Sequence, residues 1–217
     1  MVRARKKTFK RRWLCSTLAA TKENSFAAFA LGKLYLAGDA ALPRDPAAAL
    51  KWLTYAAELG NQFAQYRLGK LLLKGDDGIP KDVITAIRWL TAAAKQENGY
   101  AEYALALVYL TGEDAPKDSV KALSLLKRSA GRGNQFAQYR LGKLLLQGED
   151  APKDVKAAIR WLTAAAEQGN QYAQYALGKL YLLGKEVPKD RSSAIKWFQL
   201  AADQGNEYAQ YFLKHMD

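Results

Sequence analysis

The chain has 217 residues, 49% hydrophobic and 25% charged, a balance that supports a folded core and excludes disorder as the main state. Its net charge is +12, which by itself names no partner. A single cysteine, Cys15, and a single histidine, His215, exclude an internal disulfide and a zinc site of Cys and His ligands; Ser-His-Asp or Cys-His nucleophilic arrangements would have to use His215, in the last three residues at a fraying end, and are not expected.

In chain order, the first twelve residues carry Arg3, Arg5, Lys6, Lys7, Lys10, Arg11 and Arg12 with no acidic residue. These are seven of the twelve net charges, so the remainder carries about +5. Such a block reads as a basic arm able to contact nucleic acid or an acidic partner, or as a solubilising tail. A short apolar stretch, Trp13 to Ala20, follows. Together they share the outline of a signal peptide but lack its cleavage motif. The expected location is therefore the cytoplasm, with secretion as the alternative. Apolar runs such as Tyr103 to Leu110 fall well short of the roughly 20 residues that span a bilayer, so no membrane span is expected.

From Ser25 onward the chain repeats itself. Asn61 to Gly75, NQFAQYRLGKLLLKG, returns as Asn134 to Gly148 with one change, Lys74 to Gln147, and again as Asn170 to Gly184 with more. Aligning the alanine of AxxxLG places Ala27, Ala64, Ala101, Ala137, Ala173 and Ala209 at periods of 37, 37, 36, 36 and 36. Self-similarity at this period is the mark of a stacked repeat array. Each unit reads as a first helix (Gln62 to Lys74 in the second unit), a Gly and Pro loop, and a second helix (Val83 to Lys95). Gly38, Gly75, Gly112, Gly148 and Gly184 end the first helices. Pro43, Pro80, Pro116, Pro152 and Pro188 follow them. Asp45, Asp82, Asp118, Asp154 and Asp190 then cap the second helices. These aspartates are helix caps, not catalytic acids, and no catalytic residue, metal ligand or cofactor site is expected anywhere.

The pattern AxxxLGxxYxxG, then PxD, then AIxWLxxAAxxGN resembles the Sel1-like repeat family, a relative of tetratricopeptide repeats, over Asn24 to Asp217. NEYAQYFLKHMD at Asn206 to Asp217 is also similar to the repeat tails of mobilisation relaxases from gut Firmicutes. No relaxase catalytic part accompanies it, because that metal site needs histidines the chain lacks. The family resemblance implies a bacterial, all-α protein, a right-handed α-solenoid of about five helix-turn-helix repeats plus a terminal capping helix. The corresponding boundaries are 1–23 for the basic arm and a partial leading helix, then repeats 24–60, 61–97, 98–133, 134–169 and 170–205, and a terminal helix 206–217. Residues 24–217 form one continuous domain in this reading.

A helix pair cannot bury its apolar stripe alone, so each unit stacks on the next. Gly32, Gly69, Gly142 and Gly178, with Ala106 in the third unit, stand mid-helix and read as points of close helix contact. Trp52, Trp89, Trp161 and Trp197, with Leu125 in the third unit, read as packing. Two aromatic columns run along the first helices: Phe26, Phe63, Tyr100, Phe136, Tyr172 and Tyr208, and Phe29, Tyr66, Tyr103, Tyr139, Tyr175 and Tyr211. The first column reads as core. The second reads either as packing between helices or as groove. A turn further along come Lys33, Lys70, Lys143 and Lys179, interrupted by Leu107; lysines are seldom buried unpaired.

In tetratricopeptide arrays the equivalent positions line a concave groove. The functional expectation is therefore a non-catalytic protein-protein interaction scaffold whose groove residues are Lys33, Tyr66, Lys70, Tyr103, Tyr139, Lys143, Tyr175 and Lys179. Its partner is a peptide or protein with acidic groups. The alternative is a nucleic-acid-associated accessory, or a relaxase-tail-like protein in DNA mobilisation, that uses the basic arm. Oligomeric state is left open.

Overall fold

The computed structural model describes residues 24–39, 42–75 and 78–215. Eleven helices and no strand occur among them: α1 Ser25–Ala37, α2 Pro46–Glu58, α3 Gln62–Lys74, α4 Val83–Lys95, α5 Gly99–Thr111, α6 Ser119–Gly131, α7 Gln135–Gln147, α8 Val155–Glu167, α9 Gln171–Leu183, α10 Arg191–Asp203 and α11 Glu207–Lys214. Odd-numbered helices are the first members of the repeats and even-numbered ones the second. The class is the all-α solenoid that the repeat implies. In the second repeat both helices occupy the expected residues.

Capping sets the helix starts. Asp45, Asp82, Asp118, Asp154 and Asp190 each accept a hydrogen bond from the amide three residues on, at 2.9–3.0 Å. Their own amides donate to first-helix carbonyls, as Asp82 does to Leu72 and Asp154 to Leu145, both at 2.9 Å. One residue thus opens the second helix and satisfies an end carbonyl of the first. First helices are capped by asparagines that the sequence reading passed over, among them Asn61 and Asn134, which bond Ala64 and Ala137 at 3.0 and 3.1 Å. At the other end Gly148, left-handed at φ 75°, donates to Leu144, a conformation that strains any residue with a Cβ.

Contacts divide the chain into two compact units, with the boundary inside α5. The first comprises the described residues up to Leu105 with Glu113–Ala115. In it α1 packs on α2, α2 on α3 and α3 on α4, around Leu31, Leu53, Ala64, Leu68 and Leu72. The second comprises Ala106–Gly112 and the described residues from Pro116 on. In it each helix from α6 to α11 packs on the next, around Leu162, Leu177 and Phe198. Burying one such side chain contributes about 1.5–3 kcal/mol. Trp52, Trp89, Trp161 and Trp197 are only half-buried, at the margin of the core. The fully buried second-helix position is the next residue, Leu53, Leu90, Leu126, Leu162 and Phe198. There the mid-helix glycines matter: a Cβ on Gly69 would lie 2.6 Å from Leu90 Cγ, and one on Gly142 2.7 Å from Leu162 Cγ.

Buried glutamines tie neighbouring repeats together. Gln65 Nε2 donates to the Ala57 carbonyl at 3.0 Å, and its Oε1 accepts from Gln96 at 2.8 Å. In the second unit Gln138 and Gln174 donate to Ala130 and Ala166 and accept from Gln168 and Gln204 at 2.7 Å. Each amide adds a second hydrogen bond to a carbonyl at the end of the preceding helix, which also accepts from the amide of the turn glycine, Gly60, Gly133 or Gly169.

Candidate functional site

The exposed face of the first helices is fixed by the angular position of their core stripe. In α3 the buried residues are Ala64, Gln65, Leu68, Gly69 and Leu72. At 3.6 residues per turn, Phe63 and Lys70 point almost the same way, opposite that stripe, while Tyr66 sits on its flank. The Phe63 column is therefore not core, which corrects the sequence expectation: all six members are exposed, from 43% at Phe136 to 72% at Tyr208. The signal was present in the sequence: the column stands one residue before each repeat alanine, about 100° around the helix from that buried position.

The Tyr66 column is half-buried apart from Tyr211, which is exposed. Within each unit, inner rings support the outer ring of the following repeat in four pairs. Phe29 meets Phe63 at a centroid distance of 6.4 Å and Tyr66 meets Tyr100 at 6.0 Å in the first unit; Tyr139 meets Tyr172 and Tyr175 meets Tyr208, both at 6.0 Å, in the second. These are the offset geometries aromatic pairs favour. Burial pushes the Tyr66, Tyr139 and Tyr175 phenols above the usual range, with neighbouring tyrosines adding to the effect. They therefore present neutral hydroxyls at physiological pH.

Lys33, Lys70, Lys143 and Lys179 are exposed beside these rings. Lys33 Nζ stands 5.6 Å from the Phe29 centroid and Lys70 Nζ 5.9 Å from that of Tyr66, weak cation-π contacts at this exposure. Among the described residues none of the four lysines is in an ion pair. Helices α1, α3, α7 and α9 contain no acidic residue. Of the expected groove residues, Lys33, Tyr66, Lys70 and Tyr103 lie in the first unit and Tyr139, Lys143, Tyr175 and Lys179 in the second. The basic residues from Arg3 to Arg12, and the partial leading helix, lie outside the described residues.

Two concavities stand out. One of about 750 Å³ is lined by α2 alone, among others by Leu50, Trp52 and Tyr55, and is a flank of one helix. A smaller one, of about 250 Å³, lies on the first-helix face of the second unit. No group of three or more His, Cys, Asp or Glu residues that could hold a metal ion occurs among the described residues. None of the described helices is long and apolar enough to cross a membrane.

The Sel1 repeat matches five consecutive segments, residues 25–61, 62–98, 99–134, 135–170 and 171–206. The chain belongs to the Sel1 repeat family. A Sel1 repeat protein from Oxalobacter formigenes is 34% identical and superposes with a TM-score of 0.84 over 94% of this chain. A protective antigen of uropathogenic Escherichia coli that displays an SLR fold is 32% identical, with a TM-score of 0.80 over 92% of this chain. The chain spans 59% and 44% of the lengths of these two Sel1-type proteins. A Sel1 repeat protein from Klebsiella pneumoniae, 20% identical, shares the fold, with a TM-score of 0.57 over 90% of this chain and 94% of its own. No curated protein matches the chain.

Proposed function

We propose that this Sel1-repeat chain is a non-catalytic scaffold that binds an acidic peptide, or an acidic segment of a protein, on the exposed face of its first helices. Sel1-repeat proteins generally act as protein-protein interaction scaffolds and are generally non-catalytic. The observation that carries the acidic partner is the placing of lysines that make no ion pair among the described residues beside exposed rings, on helices that hold no acidic residue. Rings offer flat apolar area at low cost in side-chain entropy, and the half-buried tyrosine hydroxyls add hydrogen-bonding capacity. The lysines draw in carboxylates and disfavour basic competitors.

The test is fluorescence anisotropy with a labelled peptide of alternating glutamate and leucine, set against its lysine-for-glutamate counterpart. Reversing Lys70, Lys143 and Lys179 to glutamate should weaken binding of the acidic peptide roughly tenfold or more. Circular dichroism should be unchanged, since exposed substitutions usually shift stability by under about 0.5 kcal/mol each. Equal affinity for the acidic and basic peptides, or for wild type and the triple variant, would remove the case for an acidic partner.

A further inference from the structure

Helices α7 and α9 come from nearly identical segments, so their differences are informative. Asn134 to Gly148 and Asn170 to Gly184 differ only in Phe136 to Tyr172, Arg140 to Ala176, Leu145 to Tyr181 and Gln147 to Leu183. Two of these exchanges replace a long polar side chain by an apolar one. Those two residues, Ala176 and Leu183, line the cleft of about 250 Å³, with Leu146 and Leu180 completing its apolar wall. Leu183 remains 49% exposed. In α3 and α7 the Ala176 position is filled by Arg67 and Arg140. In α1 and α5 it is alanine, but Ala37 and Thr111 stand where Leu183 supplies the wall. Among the five full-length first helices, only α9 combines the opening with the wall.

Lys179, Lys185 and Glu186 complete the lining. The Glu186 carboxylate is held by Lys153 at 2.7 Å, so its charge is offset. Lys179 and Lys185 have no ion pair among the described residues. The cleft is thus apolar within and cationic at its edge. It is smaller than the roughly 300–1,000 Å³ typical of small-molecule sites, yet larger than the cavity of about 150 Å³ that accepts a benzene-sized group.

We propose that this cleft is an anchor pocket for one leucine- or phenylalanine-sized side chain of the bound peptide, with a carboxylate of an adjacent ligand residue meeting Lys179 or Lys185. The inference rests on the peptide-binding reading above and gives that peptide a sequence requirement: a large apolar residue beside an acidic one. The apolar side chain supplies the burial and the lysines set which neighbours it tolerates.

The probes are the blocked tripeptides acetyl-Glu-Leu-Glu amide and acetyl-Glu-Ala-Glu amide, titrated into the full chain and followed by amide chemical shifts in NMR. The leucine peptide should give saturable shifts at Ala176, Leu180 and Leu183, and the alanine peptide should bind about tenfold more weakly. The double variant Ala176→Arg and Leu183→Gln installs the residues that α7 already carries in the same fold. It should abolish the preference for leucine with circular dichroism unchanged. Lys179→Glu should weaken both peptides. No saturable shift at these residues, equal binding of the two peptides, or a leucine preference that survives in the double variant would each overturn the pocket. If the longer glutamate and leucine peptide bound wild type and the double variant alike, the pocket would fall and the scaffold reading would stand. If that peptide failed to bind wild type, the scaffold reading would fall with it.

Discussion

Replacing Gly142 by leucine sets two opposed effects against each other at a single position. Leucine is the better helix former by about 1 kcal/mol, so on an open helix the change would stabilise. Gly142 is not open: a Cβ there lies 2.7 Å from Leu162 Cγ and 3.0 Å from the Ala158 carbonyl oxygen, against the roughly 3.5–4.0 Å of comfortable carbon contact. Leu162 can shift its rotamer, but the Ala158 oxygen belongs to the backbone of α8 and moves only if the helix moves. Overpacking of this kind costs about 3 kcal/mol at its upper range, which leaves a net loss near 2 kcal/mol after the helix gain. With a urea slope near 2 kcal/mol per molar, the midpoint should fall by about 1 M. Gly131 is the internal control, because nothing lies within 4 Å of a Cβ placed there; Gly131→Leu should be neutral or stabilising by up to about 1 kcal/mol. Gly142→Ala should fall between, since Ala106 occupies the equivalent place in the third repeat. Urea melts followed by far-ultraviolet circular dichroism read all three. A Gly142→Leu midpoint equal to that of wild type would refute close approach as the reason for glycine here.

Glu97 is the one residue other than glycine with positive φ among the described residues, at 64°, where the other turns into first helices have Gly60, Gly133, Gly169 and Gly205. Glu97→Gly should therefore raise stability by about 1 kcal/mol, read as a later urea midpoint; an earlier one would show that the glutamate side chain outweighs the backbone strain. Acid should weaken the fold through carboxylates whose pKa lies below the ordinary range. Asp82 is lowered by the Thr85 amide, Asp150 by Lys117 and then Ser119, and Asp190 by the Ser193 hydroxyl and amide. A depressed folded pKa contributes stability above the unfolded value of about 3.9, and that stability is lost as pH falls through the folded value. Urea midpoints should hold at neutral pH and decline below about pH 4, and Asp150→Asn should remove part of that decline; a profile indifferent to the substitution would discount the Lys117 contact.

Repeat number, helix identity, the aspartate caps of the second helices and the loop glycines were legible in the sequence because each depends on local chemistry. An aspartate three residues before an amide, or a glycine after the last helical turn, acts in the same way wherever the helix is placed. The 36–37 residue period multiplied that signal, and the motifs AxxxLGxxYxxG, PxD and AIxWLxxAAxxGN carried the resemblance to the Sel1 family. Depth within the stack was not legible in the same way. Phe63 and Tyr66 are similar in chemistry and three residues apart, yet one is exposed and the other half-buried, because depth depends on where a side chain points relative to the Ala64, Leu68 and Leu72 stripe and on what the adjacent repeat sets against it. Gln65 looks like a surface residue until the Ala57 carbonyl and Gln96 are brought to it through stacking. The cleft at Ala176 and Leu183 was likewise hidden: each exchange alone is a minor departure from the repeat, and only the fold brings Leu146 of α7 to the same space. Local bonding carries the repeat, whereas accessible surface is a property of neighbours and is decided only when the helices pack.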